Sequence, residues 1–175
     1  MPDLEIVSLQ FDHKNLIDPV LTQLHDRGGF NVNRHETDLS VRDCYNENRE
    51  QYDALKILKK FDFPASAGKR IIYTSLDLYI PILTFVFGLA GLGGPTAIVS
   101  TCRLMNEFYG LPSDQDKLIT RLYKETVHEY GHLLNLRHCS NYKCVMTSSS
   151  TVDDLDVKGD SFCTSCLNFI YADRA

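Results

Sequence analysis

His128 and His132 stand four residues apart in the run His128-Glu129-Tyr130-Gly131-His132. On a helix that spacing stacks two side chains on one face, one turn apart. Two imidazoles so placed can grip one divalent metal, most naturally zinc, at about 2.0–2.1 Å each. Glu129, beside the first of them, is then poised to take a proton from a water held by that metal. His138 follows His132 by six residues, which along a continuing helix would carry it about 9 Å away. It can share the ion only if the helix stops between them and the chain turns back. Asn135 lies in that interval, and after glycine asparagine is the residue best suited to the left-handed conformation that closes a helix.

Four cysteines follow: Cys139 and Cys144, then Cys163 and Cys166. A C-x4-C paired with a distant C-x-x-C spells a closed four-thiolate zinc site, which stabilises structure and leaves no position open for chemistry. The rival reading of Cys163 and Cys166 is a redox pair. That needs a low-pKa thiol at a helix start in a thioredoxin-like setting, and residues 150–170 lack that pattern. Cys44 and Cys102 remain, and each reads as a small buried apolar residue.

Taken together, these residues resemble the archaemetzincins, a family of metzincin-clan zinc metallopeptidases. Its pattern is His-Glu-x-x-His-x-x-Gly-x-x-His-Cys-x4-Cys-x-Met, a spacer, then Cys-x-x-Cys. The resemblance runs residue by residue from Val127 to Cys166, with Asn135 where the family has glycine and a sixteen-residue spacer, one shorter than the family's. It implies a catalytic zinc on His128, His132 and His138, and a structural zinc on Cys139, Cys144, Cys163 and Cys166. Glu129 would be the general base of peptide-bond hydrolysis, as an endo- or aminopeptidase. Met146 would lie in a tight turn beneath the histidines, where residue type alone says only core filling. A peptide or protein substrate, held extended along an edge strand, is implied too; the bland alternative is an edge strand that is merely an edge.

The element that must carry this motif is a long helix. Ser113 is read as its start, with Pro112 just outside and Asp116 as a capping-box analogue. Ile119, Tyr123, Thr126, Tyr130 and Leu133 fall on its packing side. Upstream, Leu4 to Phe11 reads as a first strand, Asp18-Pro19 as a helix start and Gly28-Gly29 as its stop. Phe30 to Arg34 reads as a short strand. A second helix is predicted from Asn46 to Phe61, with Tyr52, Leu55, Leu58 and Phe61 inward, ended by Phe63-Pro64-Ala65 and a loop at Ser66-Ala67-Gly68. Arg70 to Thr74, Phe85 to Phe87 and Thr96 to Thr101 read as further strands, with Gly91 to Pro95 a turn.

Strands separated by helices predict an α/β fold with a mixed, mainly parallel twisted sheet. The short link from Phe87 to Thr96 permits only antiparallel neighbours, so one edge strand runs against the rest. With the resemblance, this becomes a single metzincin-like domain over 1–175, divided into sheet, helices and active-site helix (1–135) and a small zinc-stapled C-terminal subdomain (136–175). Thr147 to Thr151 reads as loop, Leu167 to Tyr171 as a short terminal helix. Asp153, Asp154, Asp156 and Asp160 read as a solvated face rather than a calcium loop.

Composition narrows the function. The chain has 175 residues, 43% hydrophobic, and a net charge of −5, enough for one core and no footprint for nucleic acid or an anionic membrane. The uncharged stretch Leu78 to Cys102 is long enough to span a bilayer, but Pro81, Gly88, Gly91, Gly93, Gly94 and Pro95 break it, so two buried strands joined by a glycine turn are expected. The first residues do not form a secretory signal, and cysteines at metal spacing suit a reducing, cytoplasmic setting. His13, His25 and His35 have no ligand partners in their own stretches and read as surface or half-buried residues. The leading function is a zinc metallopeptidase. The alternatives are a catalytically weak two-zinc peptide-binding domain and a zinc-ribbon module confined to the last forty residues. Oligomeric state is not encoded in any readable pattern.

Overall fold

The computed structural model describes residues 2–61 and 68–173. The helix stop read at Phe63-Pro64-Ala65, and the loop residues Ser66 and Ala67, lie outside them. In chain order come strand β1 (Asp3–Leu9), helix α1 (Lys14–Asp26) and strand β2 (Asn31–Thr37). Strands β3 (Tyr45–Asn46) and β4 (Gln51–Asp53) precede helix α2 (Ala54–Lys60). Strands β5 (Lys69–Thr74), β6 (Leu78–Tyr79), β7 (Gly88–Ala90) and β8 (Thr96–Ser100) lead to the long helix α3 (Gln115–Leu133). Short helices α4 (Val152–Val157) and α5 (Thr164–Asp173) finish the chain.

The main sheet has the order β2-β1-β5-β8-β7. β2, β1, β5 and β8 are mutually parallel, and β7 at the edge runs antiparallel to β8. The fold is therefore mixed α/β with a parallel-dominated sheet. Its inner strands are apolar on both faces, as a sheet covered on both sides requires. Leu4, Ile6, Ile71, Tyr73, Ala97 and Val99 face α1 and α3 in one core that continues through Met146 and Leu155 to Ile170. Val7, Leu9, Ile72 and Ile98 face α2 in the other. β3, β4 and β6 form a separate small sheet.

Several local readings need correction. The helix predicted from Asn46 to Phe61 begins only at Ala54, because Asp53 caps it: its carboxylate accepts from the Leu55 and Lys56 amides at 3.0 and 3.2 Å, the favoured role for Asp at a helix start. Ala54 and Ile57 are its buried residues; of those read as inward, Phe61 is buried, Tyr52 and Leu58 pack against the same core, and only Leu55 turns out, 44% exposed. α1 begins at Lys14, upstream of Pro19, because buried Leu16 and Ile17 anchor an extra turn; Asp18 instead pairs with Arg34 of β2 at 2.5 Å. The start of α3 moves by one, with Asp114 rather than Ser113 accepting from the Lys117 amide at 2.9 Å.

The strand read at Phe85 to Phe87 lies three residues later, at β7. Phe85 and Phe87 pack edge to face, 5.2 Å between centroids, with the Arg103 guanidinium over Phe85. The stretch Leu78 to Cys102 thus holds β6, β7, a turn and β8. Among the described residues no helix is long and apolar enough to cross a membrane. The acidic residues are not a purely solvated face. Thr151 and Asp154 form a capping box that starts α4, Asp156 pairs with Arg121 and Lys117, and Asp160 pairs with Arg27.

Candidate metal centre

α3 is buried on nearly every side, so it is a rigid mount for what it carries. His128 and His132 lie one turn apart near its C-terminal end. Each Nδ1 meets a carbonyl oxygen: His128 that of Val145, His132 that of Leu136, both at 2.8 Å. A carbonyl only accepts, so both Nδ1 atoms hold the proton and both Nε2 atoms present a lone pair. Those two Nε2 atoms are 3.2 Å apart. Two lone pairs at that distance repel unless a cation lies between them, and zinc ligands at about 2.0–2.1 Å in a tetrahedron stand about 3.3 Å from each other.

The helix closes with two carbonyl bonds. The Asn135 amide donates to His132 O at 2.9 Å and the Leu136 amide to Gly131 O at 3.0 Å, while Asn135 itself takes φ +70°. This is the left-handed helix stop in which glycine is commonest. It turns the chain so that the three histidines' ligand atoms all lie within 4.8 Å of one another. The Gly93 amide, in the β7–β8 turn, also donates to His132 O at 2.9 Å, fastening the edge of the sheet to the end of α3.

Glu129 is 4% exposed, and its Oε2 is buried without a hydrogen-bond partner among the described residues. Burial, and secondarily the neighbouring Glu125 carboxylate, push its pKa well above the usual carboxylate range. It lines a cleft of about 390 Å³ with the three histidines, Glu125, β7 and Ser148 to Ser150.

The four cysteines converge beside this cleft. Cys139 and Cys163 sulfurs are 3.9 Å apart, and Cys144 and Cys166 sulfurs 3.7 Å. Sulfur atoms about 2.3 Å from a tetrahedral zinc stand about 3.8 Å from each other, whereas a disulfide needs about 2.05 Å. Backbone amides point at them: Asn141 N to Cys139 Sγ at 3.4 Å and Cys163 N to Cys144 Sγ at 3.3 Å. The Cys166 amide, at the start of α5, lowers the Cys163 thiol to about 7. Cys44 is buried and Cys102 half-buried, apart from both clusters.

This geometry has known counterparts. Residues 4–171 match the model of peptidase family M54. The chain belongs to peptidase family M54. It is 43% identical over 124 residues to the archaemetzincin of Methanocaldococcus jannaschii, covering 71% of this chain and 68% of that protein. With the archaemetzincin of Pyrococcus horikoshii it shares 46% identity over 113 residues, a stretch that spans 65% of this chain and 58% of that protein. The crystal structure of a zinc-dependent peptidase from Methanocorpusculum labreanum superposes with a TM-score of 0.85 at 34% identity, over 95% of this chain and 99% of that one.

As an M54 member, the chain is a metallopeptidase whose substrates are peptides or proteins. The zinc-ribbon reading, confined to the last forty residues, is set aside by a match that spans 4–171. Both clusters fit metal by their donor sets and spacings. Several residues around the M54 motif have no signature in the chain. Gly88 reads as a breaker, yet a Cβ there would sit 2.6 Å from Glu129 Oε1; it is a glycine because the Glu129 side chain lies against the strand. Gly131, inside the motif, leaves room for the Met146 sulfur and the Phe162 ring. Met146 is fully buried there, under the helix turn that carries both histidines. Lys158 is 3% exposed and pairs with Glu125 at 3.0 Å, a contact between residues 33 apart in sequence that no local pattern announces.

Proposed function

We propose that this metallopeptidase hydrolyses peptide bonds with zinc on His128, His132 and His138 and with Glu129 as general base, and that Cys139, Cys144, Cys163 and Cys166 hold a second, structural zinc. Zinc held by the three imidazoles would supply a Lewis acid able to polarise a carbonyl and acidify a bound water. Glu129 takes the proton from the attacking water and later hands it to the departing amine. The observation that carries this role is its buried Oε2, without a hydrogen-bond partner among the described residues, in the cleft beside the histidines. In the metal-free chain burial favours the protonated form of Glu129; a cation on the neighbouring histidines would favour the carboxylate, the form that can accept the proton.

The peptide itself is held by β7. Among the described residues that strand pairs only with β8, and its residues line the cleft, so an extended substrate can add to its other edge by main-chain hydrogen bonds. Thiolate ligation supports a reducing, cytoplasmic setting. The rival, a two-zinc domain that binds peptides without turnover, drew on Asn135 in place of glycine. Since Asn135 closes α3 with the left-handed geometry of a glycine, the balance favours turnover. The test compares peptide-library cleavage by the wild type and Glu129→Ala at equal zinc content. A loss of roughly 10²–10⁴-fold is expected; equal turnover would end the assignment.

A further inference from the structure

We propose that the cleft selects substrates carrying a carboxamide side chain, Gln or Asn, beside the scissile bond, through the free oxygen of Glu125 and the hydroxyl of Ser149. The inference rests on the peptidase reading and specifies its substrate class.

Glu125 lies one helical turn before Glu129 and lines the same cleft. It is 4% exposed. Its Oε1 accepts from Lys158 Nζ at 3.0 Å, while Oε2 meets no donor among the described residues. Lys158 Nζ is itself taken up by Glu125 and, at 3.4 Å, by the Thr147 carbonyl. Ser149 lines the same cleft, and its hydroxyl oxygen is buried with no hydrogen-bond partner among the described residues. Leu83, Phe85 and Val86 give the same cleft an apolar lining.

A recess so built discriminates in two ways. An aliphatic side chain would fill it and leave both the Glu125 oxygen and the Ser149 hydroxyl dry and unpaired, which a hydrogen-bonding site does not tolerate well. A charged side chain meets an ion pair that is already neutral, so it adds an uncompensated charge to a buried place. A carboxamide avoids both penalties. Its NH₂ donates to Glu125 Oε2, its oxygen accepts from Ser149, and its methylenes lie along the apolar wall.

The test uses the zinc-loaded full chain and one peptide sequence varied only at the residues flanking the scissile bond, with Gln, Asn, Leu, Lys or Glu at each side in turn. At one of the two sides, kcat/KM for Gln or Asn should exceed that for Leu and Lys by at least about tenfold. Ser149→Ala should lower the Gln-over-Leu ratio by about tenfold. Lys158→Met, where it folds, should shift preference towards Lys, since Glu125 then stands as a lone anion. A Leu peptide cut as fast as the Gln peptide, or an unchanged ratio in Ser149→Ala, overturns the inference. The same series with a reduced, uncleavable bond is titrated calorimetrically. Tighter binding of Gln without any cleavage sinks the peptidase reading and leaves the selectivity standing. Tighter binding of Leu sinks the selectivity whether or not peptides are cut.

Discussion

The Val145 carbonyl accepts the Nδ1 proton of His128 at 2.8 Å, and Val145 is flanked by Cys144 and Met146. Three consecutive residues thus supply a thiol to one cluster, orient an imidazole in the other, and place a thioether beneath the helix between them. The Cys139 amide adds a bond to the Met146 carbonyl at 2.9 Å, and Cys139 is covalently next to His138. The thiol cluster is therefore the frame that fixes two of the three imidazoles, since such supporting bonds govern ligand orientation.

Opening that frame should empty both clusters. The wild type is expected to hold two zinc ions per chain. Cys163→Ala should hold fewer than one, because loss of the closed site frees Cys139 and with it His138. His138→Ala, by contrast, should keep the structural ion. Zinc analysis of the purified variants decides it; one full, exchangeable equivalent at the histidines of Cys163→Ala would refute the coupling.

Gly131→Ala should destabilise the protein by about 1–3 kcal/mol, the usual cost of forcing extra volume into a packed core. The added methyl meets the Met146 sulfur and the Phe162 ring. Combining it with Met146→Ala opens room, so the double variant should be more stable than the sum of the two single losses. Urea melts of the four proteins form the cycle, and strict additivity would show that the two residues do not touch.

Asn135 at φ +70° predicts a graded series. Asn135→Gly should be neutral or slightly stabilising, since glycine adopts that conformation freely. Asn135→Val should cost about 1–2 kcal/mol through the clash of its Cβ in left-handed backbone. Zinc affinity at the histidines should fall in the same order, because Leu136 and His138 follow from that turn. Equal melting midpoints for Gly and Val would contradict the reading.

Burial, the largest influence, lowers His128 from 6.5 to about 4. In the metal-free chain the unfolded state therefore takes a proton below pH 6.5 that the folded state refuses. Stability is present above that pH and is lost as pH falls towards 4, by up to about 1.4 kcal/mol per unit. His132, also lowered, chiefly by burial, acts in the same direction. Glu129, raised by burial, opposes them, since the folded state keeps a proton that the unfolded one releases above 4.5. Melts of chelator-treated protein between pH 7 and 5 should show a steeper decline in Glu129→Gln than in the wild type. A shallower decline in the variant would reverse the sign.

Chemistry that depends on ligand type and short spacing is carried by the chain itself. The i, i+4 histidines, the asparagine able to close a helix, and the paired cysteines are local facts, and local backbone geometry turns them into two clusters. The alternation of apolar strands with helices likewise fixed the parallel sheet and its one reversed edge. Where neighbouring residues competed for a role, pattern misled: spacing of three drew a helix across Asp53, although that carboxylate does better capping the helix than inside it. What only the tertiary structure decided is how distant segments finish the site. Gly88 is small because Glu129 leans on it, Glu125 is neutralised by Lys158 just past the end of α4, and His128 is aimed by the Val145 carbonyl. Those contacts arise from packing between parts of the chain far apart in sequence, and no periodicity or spacing within one segment encodes them.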